Sequence, residues 1–243
     1  MSNRSKVAAV VAEFLGVAAL TMILLAISKS GVGFSLFIAG GVGLGVAFLS
    51  LIMGAASGAH YNPAVTIGLW TTRKITTSRA LVFVAAQLLG GVAAWKIYNF
   101  LVAQPLASIA PKTFDWKVFW AEALGGMLIA LAYSAAVYKR EWGTRYAATI
   151  GGGVFLGMMV ASLASNGIAN PAIALGMRSW STAYVAGPIL GGLIGANIYT
   201  YLFAPADELG STVAARAAAR ARGGSTSAPV NKPAGKKSSK KKK

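Results

Sequence analysis

One short pattern, written twice, limits what this chain can become. Ser57 stands five residues before Asn62-Pro63-Ala64, and Ser165 stands five residues before Asn170-Pro171-Ala172, so the two triplets are 170 − 62 = 108 residues apart. Each triplet reads as a helix start: the Asn side-chain oxygen accepts an orphan amide, and Pro suits the first helical position, where its missing N–H is not needed. The apolar runs that follow, 65–70 and 173–177, are too short to cross a bilayer, which takes about 20 residues. Both are expected to be half-helices entered by a polar loop.

Six longer apolar stretches surround them, at 7–27, 33–56, 80–103, 118–138, 146–165 and 182–204. Each is near the length that crosses a membrane as a helix. An internal repeat orders them. Glu13 in Ala12-Glu13-Phe14-Leu15-Gly16 is echoed by Glu122 in Ala121-Glu122-Ala123-Leu124-Gly125, 122 − 13 = 109 residues on, and Gln87-Leu88-Leu89-Gly90-Gly91 is echoed by Pro188-Ile189-Leu190-Gly191-Gly192. Three spans and a half-helix, used twice, put the halves in opposite orientations, with the broken helices meeting near the midplane. The expected fold is an all-α membrane protein of six transmembrane helices and two re-entrant half-helices. Its membrane domain covers 7–204 (repeats 7–103 and 118–204), between a short N-terminus, 1–6, and a basic tail, 205–243.

Composition excludes most other classes. With 56% hydrophobic and 12% charged residues and a mean hydropathy of +0.61, the chain is too apolar for an ordinary soluble domain. The net charge of +17 is partly a tail property: ten basic against two acidic residues follow Pro205, a net of 10 − 2 = +8. That tail is expected to be disordered and held near anionic lipid headgroups, with nucleic acid or the ribosome as the second reading; Lys240 and Lys241 also match an endoplasmic-reticulum retrieval signal. There is no Cys and only one His, and neither half pairs carboxylates near a nucleophile. No enzyme, metal or cofactor is therefore expected.

Basic residues set the orientation. Arg4, Lys6, Arg73, Lys74, Arg79, Lys139, Arg140 and Arg145 fall on the side of the N-terminus, against Lys29, Lys112, Lys117 and Arg178 opposite. Both termini are expected to be cytoplasmic, in a cell membrane. Gly187, Gly191 and Gly195 recur on one face of the last span, Gly153 and Gly157 on the fifth, and Gly41, Gly43 and Gly45 on the second, small residues that let helices approach closely in lipid.

Ser57 to Thr66 resembles, almost letter for letter, the first signature of the major intrinsic protein family, the aquaporins and glycerol facilitators. The resemblance implies that the half-helices enter from opposite faces and touch at their N-termini, with Asn62 and Asn170 aimed into one pore in each subunit of a homotetramer. Two helix N-termini there raise the energy of cations, and the amides donate to a passing water or hydroxyl. It further implies that Glu13 and Glu122 accept hydrogen bonds from the re-entrant loops of their own halves. His60 is placed at the cytoplasmic vestibule, either in contact with the Glu13 network or with solute. Gln87, polar in an apolar span, is expected to join helices.

Counting from the triplets places the family's outer constriction at Val42, Met158, Gly167 and Ile173. This chain departs from the family there. Arg is usual where Ile173 stands, His is frequent in water-selective members where Met158 stands, and the glycerol branch has Asp where Ala174 stands. The implied filter is apolar and lacks a fixed cation. Three readings remain open: a passive water channel, with glycerol or another small neutral solute as the alternative permeant; a proton-coupled secondary transporter; and a non-conducting scaffold with a basic interaction tail.

Overall fold

The computed structural model describes residues 2–31 and 35–205, and within them every regular element is helical. The expectations for the basic tail, and for the head of the second span at 33–34, lie outside the described residues. Six long helices are present: α1 (Asn3–Lys29), α2 (Ser35–Ser57), α4 (Thr77–Val102), α5 (Trp116–Tyr138), α6 (Gly143–Ala161) and α8 (Thr182–Ile198). Two short ones, α3 (Pro63–Thr71) and α7 (Pro171–Gly176), sit where the triplets predict them, and a π-helical turn at Tyr199–Phe203 continues α8.

Local chemistry explains most boundaries. Ser2 Oγ accepts the Ser5 amide, so the polar residues Asn3 to Lys6 already belong to α1. Asp115 caps α5 at the amides of Lys117 and Val118, and Ser181 caps α8 at that of Tyr184. The fifth span ends four residues earlier than its hydropathy suggests, at Ala161, because Ser162 to Ser165 turn into the second re-entrant loop. Five helices (α1, α2, α4, α5, and α8 with its π turn) are long and apolar enough to cross a membrane by length and composition. The other, α6, is diluted by Thr144, Arg145 and the Gly151-Gly152-Gly153 run.

Glycine sets the distances between helices. Along α8, a Cβ on Gly187, Gly191 or Gly195 would strike the carbonyl oxygens of Phe119, Ala123 and Met127 on α5. Gly43 of α2 and Gly151 of α6 face each other's carbonyl oxygens in the same way, which brings the middle helices of the two halves into backbone contact. The half-helices are exchanged between repeats: Gly68 of α3 lies against Gly192 O of α8, and Gly91 of α4 lies against Ala172 O of α7. Each half-helix thus docks on the last long helix of the opposite half. That exchange carries Asn62 and Asn170 toward one another in the middle of the bundle.

Candidate pore site

The loops before α3 and α7 share one backbone design. Ala59 and Tyr61 have φ of 52° and 48°, and their equivalents Gly167 and Ala169 have φ of 65° and 46°. Left-handed residues at alternate positions keep the loop from closing into a helix and turn successive amides toward one wall, at a cost of order 1 kcal/mol or more for each non-glycine. A buried carboxylate on that wall holds them. Glu13 accepts the amides of His60 (3.0 Å) and Tyr61 (2.7 Å); Glu122 accepts those of Ile168 (3.0 Å) and Ala169 (2.6 Å). Both carboxylates are fully buried. Each carboxylate serves the loop of its own half.

The two loops meet through their asparagines. Asn62 Oδ1 caps α3 at the Ala64 amide, and Asn170 Oδ1 caps α7 at the amides of Ala172 and Ile173. Each amide nitrogen then crosses to the other half: Asn62 Nδ2 donates to Ala169 O (2.9 Å) and Asn170 Nδ2 donates to Tyr61 O (2.8 Å). A primary amide carries two N–H groups, so each crossed bond leaves one for whatever lies between them. Pro63 and Pro171 occupy the first helical position without losing a bond, and the backbones of Ala64 and Ala172 lie against Gly192 and Gly91 of the helices behind.

A narrow cavity runs past this junction, with ≈ 10 Å³ of room for the centre of a water molecule, about what one water needs. Asn62, Asn170, His60, Tyr61 and Tyr133 form its polar lining, and Leu20, Val42, Val46, Ile129, Val154, Met158, Ile168 and Ile173 its apolar wall. Of the four residues placed at the outer constriction, Val42, Met158 and Ile173 line this cavity. Gly167 does not; it supplies a left-handed loop position and lies against Ser162 and Met158 O. Arg178 does not reach the cavity. Its guanidinium donates to Leu106 O (3.2 Å) and lies over the Trp95 ring.

Polar support is unequal in the two halves. Gln87 Nε2 donates to Glu13 (2.7 Å) and to Thr66 Oγ1 (2.9 Å), and Thr66 Oγ1 lies 3.2 Å from His60 Nδ1. His60 therefore belongs to the Glu13 network and lines the cavity as well. In the second half Ile168, Ala174 and Pro188 replace His60, Thr66 and Gln87, and the only side chain on Glu122 among the described residues is Ser165 (2.6 Å). Thr66, Tyr133 and Tyr146 escaped the sequence reading. The signal that singled out Gln87, a polar group inside an apolar span, was present for both tyrosines.

Similarity to known proteins agrees with this architecture. A sequence model of the family described as major intrinsic protein matches residues 1–199. The chain belongs to the major intrinsic protein family. Pig aquaporin-1 is 30% identical over 182 residues, 67% of this chain and 65% of that relative. Aquaporin AqpM of Methanothermobacter marburgensis is 29% identical over 196 residues, 68% of this chain and 77% of AqpM. A probable TIP-type aquaporin of Medicago truncatula is 30% identical over 181 residues, 70% and 68%. The match thus spans just under two thirds of pig aquaporin-1. The aquaglyceroporin of Plasmodium falciparum shares the fold, with a TM-score of 0.68 at 21% identity, over 84% of this chain and 99% of that one. As a major intrinsic protein with long apolar helices, the chain is an integral membrane protein.

Proposed function

We propose that this protein is a passive channel that conducts water between Asn62 and Asn170, with residues 205–243 as an accessory tail and both termini in the cytoplasm of a cell membrane. The crossed amide pair carries the reading. Two half-helix N-termini and two free N–H groups converge on a one-water-wide cavity, which favours a neutral hydrogen-bonding solute and disfavours a cation. The apolar wall offers few competing polar contacts, so water passes without being held. Four such pores in a homotetramer follow by family analogy. Similarity to the major intrinsic protein family and to aquaporins favours a channel over an enzyme.

A second permeant has an observation in its favour. Val42, Met158 and Ile173 give the constriction no cation and no imidazole, a lining that also suits the carbon skeleton of glycerol or a similar small neutral solute. The two are separated by stopped-flow light scattering on proteoliposomes holding the full chain. Fast shrinkage under an impermeant osmolyte without re-swelling in glycerol is the result expected of a water channel, whereas rapid re-swelling assigns it to the solute-conducting branch. Ile173→Arg should slow glycerol more than water and lower any ion leak; if it changes neither selectivity nor leak, the constriction lies elsewhere. Accumulation driven by a pH gradient would point to a proton-coupled transporter instead.

A further inference from the structure

Between the re-entrant loops and the bundle lies an asymmetry that the asparagine pair does not explain. In the first loop, consecutive backbone carbonyls are already occupied by side chains. Tyr133 of α5 donates its hydroxyl to Ala59 O (2.8 Å), and Tyr146 of α6 donates to Gly58 O (2.6 Å). Tyr133 is fully buried and lines the same narrow cavity as Asn62 and Asn170, so its ring and hydroxyl fill space on the path. Tyr146 lies one carbonyl farther from Asn62. In the second loop, no described side chain donates to the carbonyls of Asn166, Gly167 or Ile168.

The repeat shows that this difference is written in the sequence. Counting back 109 residues from Tyr133, the Glu122-to-Glu13 offset, reaches Leu24; counting back 108 from Tyr146, the offset that pairs Gly151 with Gly43, reaches Ile38. Neither can donate a hydrogen bond. The backbone scaffold is thus duplicated, while the two hydroxyls that donate to carbonyls of the first loop have no counterpart on the second, where the Tyr184 hydroxyl instead accepts from Asn166 N and Nδ2.

A water or hydroxyl that enters a one-molecule-wide path loses its hydration and must find replacement partners along the wall. Loop carbonyls are the natural acceptors, and a carbonyl holding a tyrosine O–H offers less. From this we infer that Tyr133, backed by Tyr146, is the barrier that sets permeation on the N-terminal side of the asparagine pair, and that conduction requires Tyr133 to leave Ala59 O. Tyr133 then determines both rate and size cut-off, more than the apolar constriction at Val42, Met158 and Ile173 does. The inference rests on the channel reading above.

The test compares the full-length wild type with Tyr133→Phe, Tyr133→Leu and Tyr146→Phe in proteoliposomes, at matched protein content, reading water-driven shrinkage and glycerol re-swelling. Tyr133→Phe keeps the ring and drops only the hydroxyl; Tyr133→Leu installs the residue of the equivalent first-half position. Both Tyr133 variants should speed water about three- to tenfold, the size expected for releasing a buried hydrogen bond. Tyr133→Leu should also raise the ratio of glycerol to water flux, which a merely structural role would not do, and Tyr146→Phe should have the smallest effect. A wild type that conducts above empty vesicles, with both Tyr133 variants equal to it or slower, overturns the inference and leaves the channel reading standing. A silent wild type with a conducting Tyr133→Leu supports both. If the wild type and all three variants match empty vesicles, the channel reading fails and this inference with it.

Discussion

The two re-entrant loops carry the same backbone through different surroundings. They share left-handed residues at two equivalent positions, a buried carboxylate, an asparagine cap and a crossed amide, and the first loop adds a left-handed Gly58. The first loop, however, is backed by Gln87, Thr66 and His60 and has tyrosines donating to its carbonyls, whereas the second is flanked by Ile168, Ile173 and Met158 and is held by Ser165 and by a Tyr184 hydroxyl that accepts from Asn166. Duplication has preserved what positions the loops. What has diverged is what a solute would touch. Geometry at the centre is therefore the shared property of the halves, and selectivity is expected to belong to each half separately.

If the scaffold is symmetric, removing either carboxylate should cost about the same. Glu13→Ala and Glu122→Ala each leave two buried loop amides without an acceptor, at roughly 1–3 kcal/mol per group, so each should lower stability by about 2–6 kcal/mol. Thermal unfolding in detergent reads this directly, and a large gap between the two variants breaks the comparison. Next come the asparagines. Asn62→Ala and Asn170→Ala each lose a helix cap and a crossed bond, about 1–3 kcal/mol in all, again equal within error.

The unshared residues should behave unequally. Gln87→Leu removes two hydrogen bonds from the Glu13 network and should cost about 1–3 kcal/mol, while Pro188→Ala, at the equivalent position in α8, touches no such network and should leave Glu122 undisturbed. The smallest effect concerns the two serines. Among the described residues Ser57 Oγ accepts only the Ala59 amide, whereas Ser165 Oγ accepts the Gly167 amide and donates to Glu122 as well. Ser165→Ala should therefore exceed Ser57→Ala by about one hydrogen bond, near 1 kcal/mol. Equal losses would mean that Ser165 contributes nothing to holding Glu122.

Much of the fold was legible because membrane helices announce themselves by length and hydropathy, and because a repeat constrains its own interpretation. The two Asn-Pro-Ala triplets located α3 and α7, since capping chemistry is local and depends on few residues. Boundaries were harder: the run through Ser165 is apolar enough to continue α6, but the chain leaves the helix at Ala161 so that Ser165 and the loop amides reach Glu122. Tyrosines 133 and 146 stood out as polar groups in apolar spans, but their partners were illegible for another reason. Both tyrosines bond to the opposite half, at separations of 74 and 88 residues, and no local pattern records such a partner. Gly167 shows the limit of counting along a sequence, because register places it on the loop and only the backbone turn decides which way it faces.

The central claim is that one path runs between Asn62 and Asn170. The most direct measurement is osmotic water permeability of proteoliposomes containing the full chain, beside an Asn62→Leu/Asn170→Leu double variant whose insertion is verified. Shrinkage well above empty vesicles is expected for the wild type and a fall to the empty-vesicle rate for the double variant. A wild-type rate that survives the double substitution would contradict the central claim, by placing the path elsewhere in the protein.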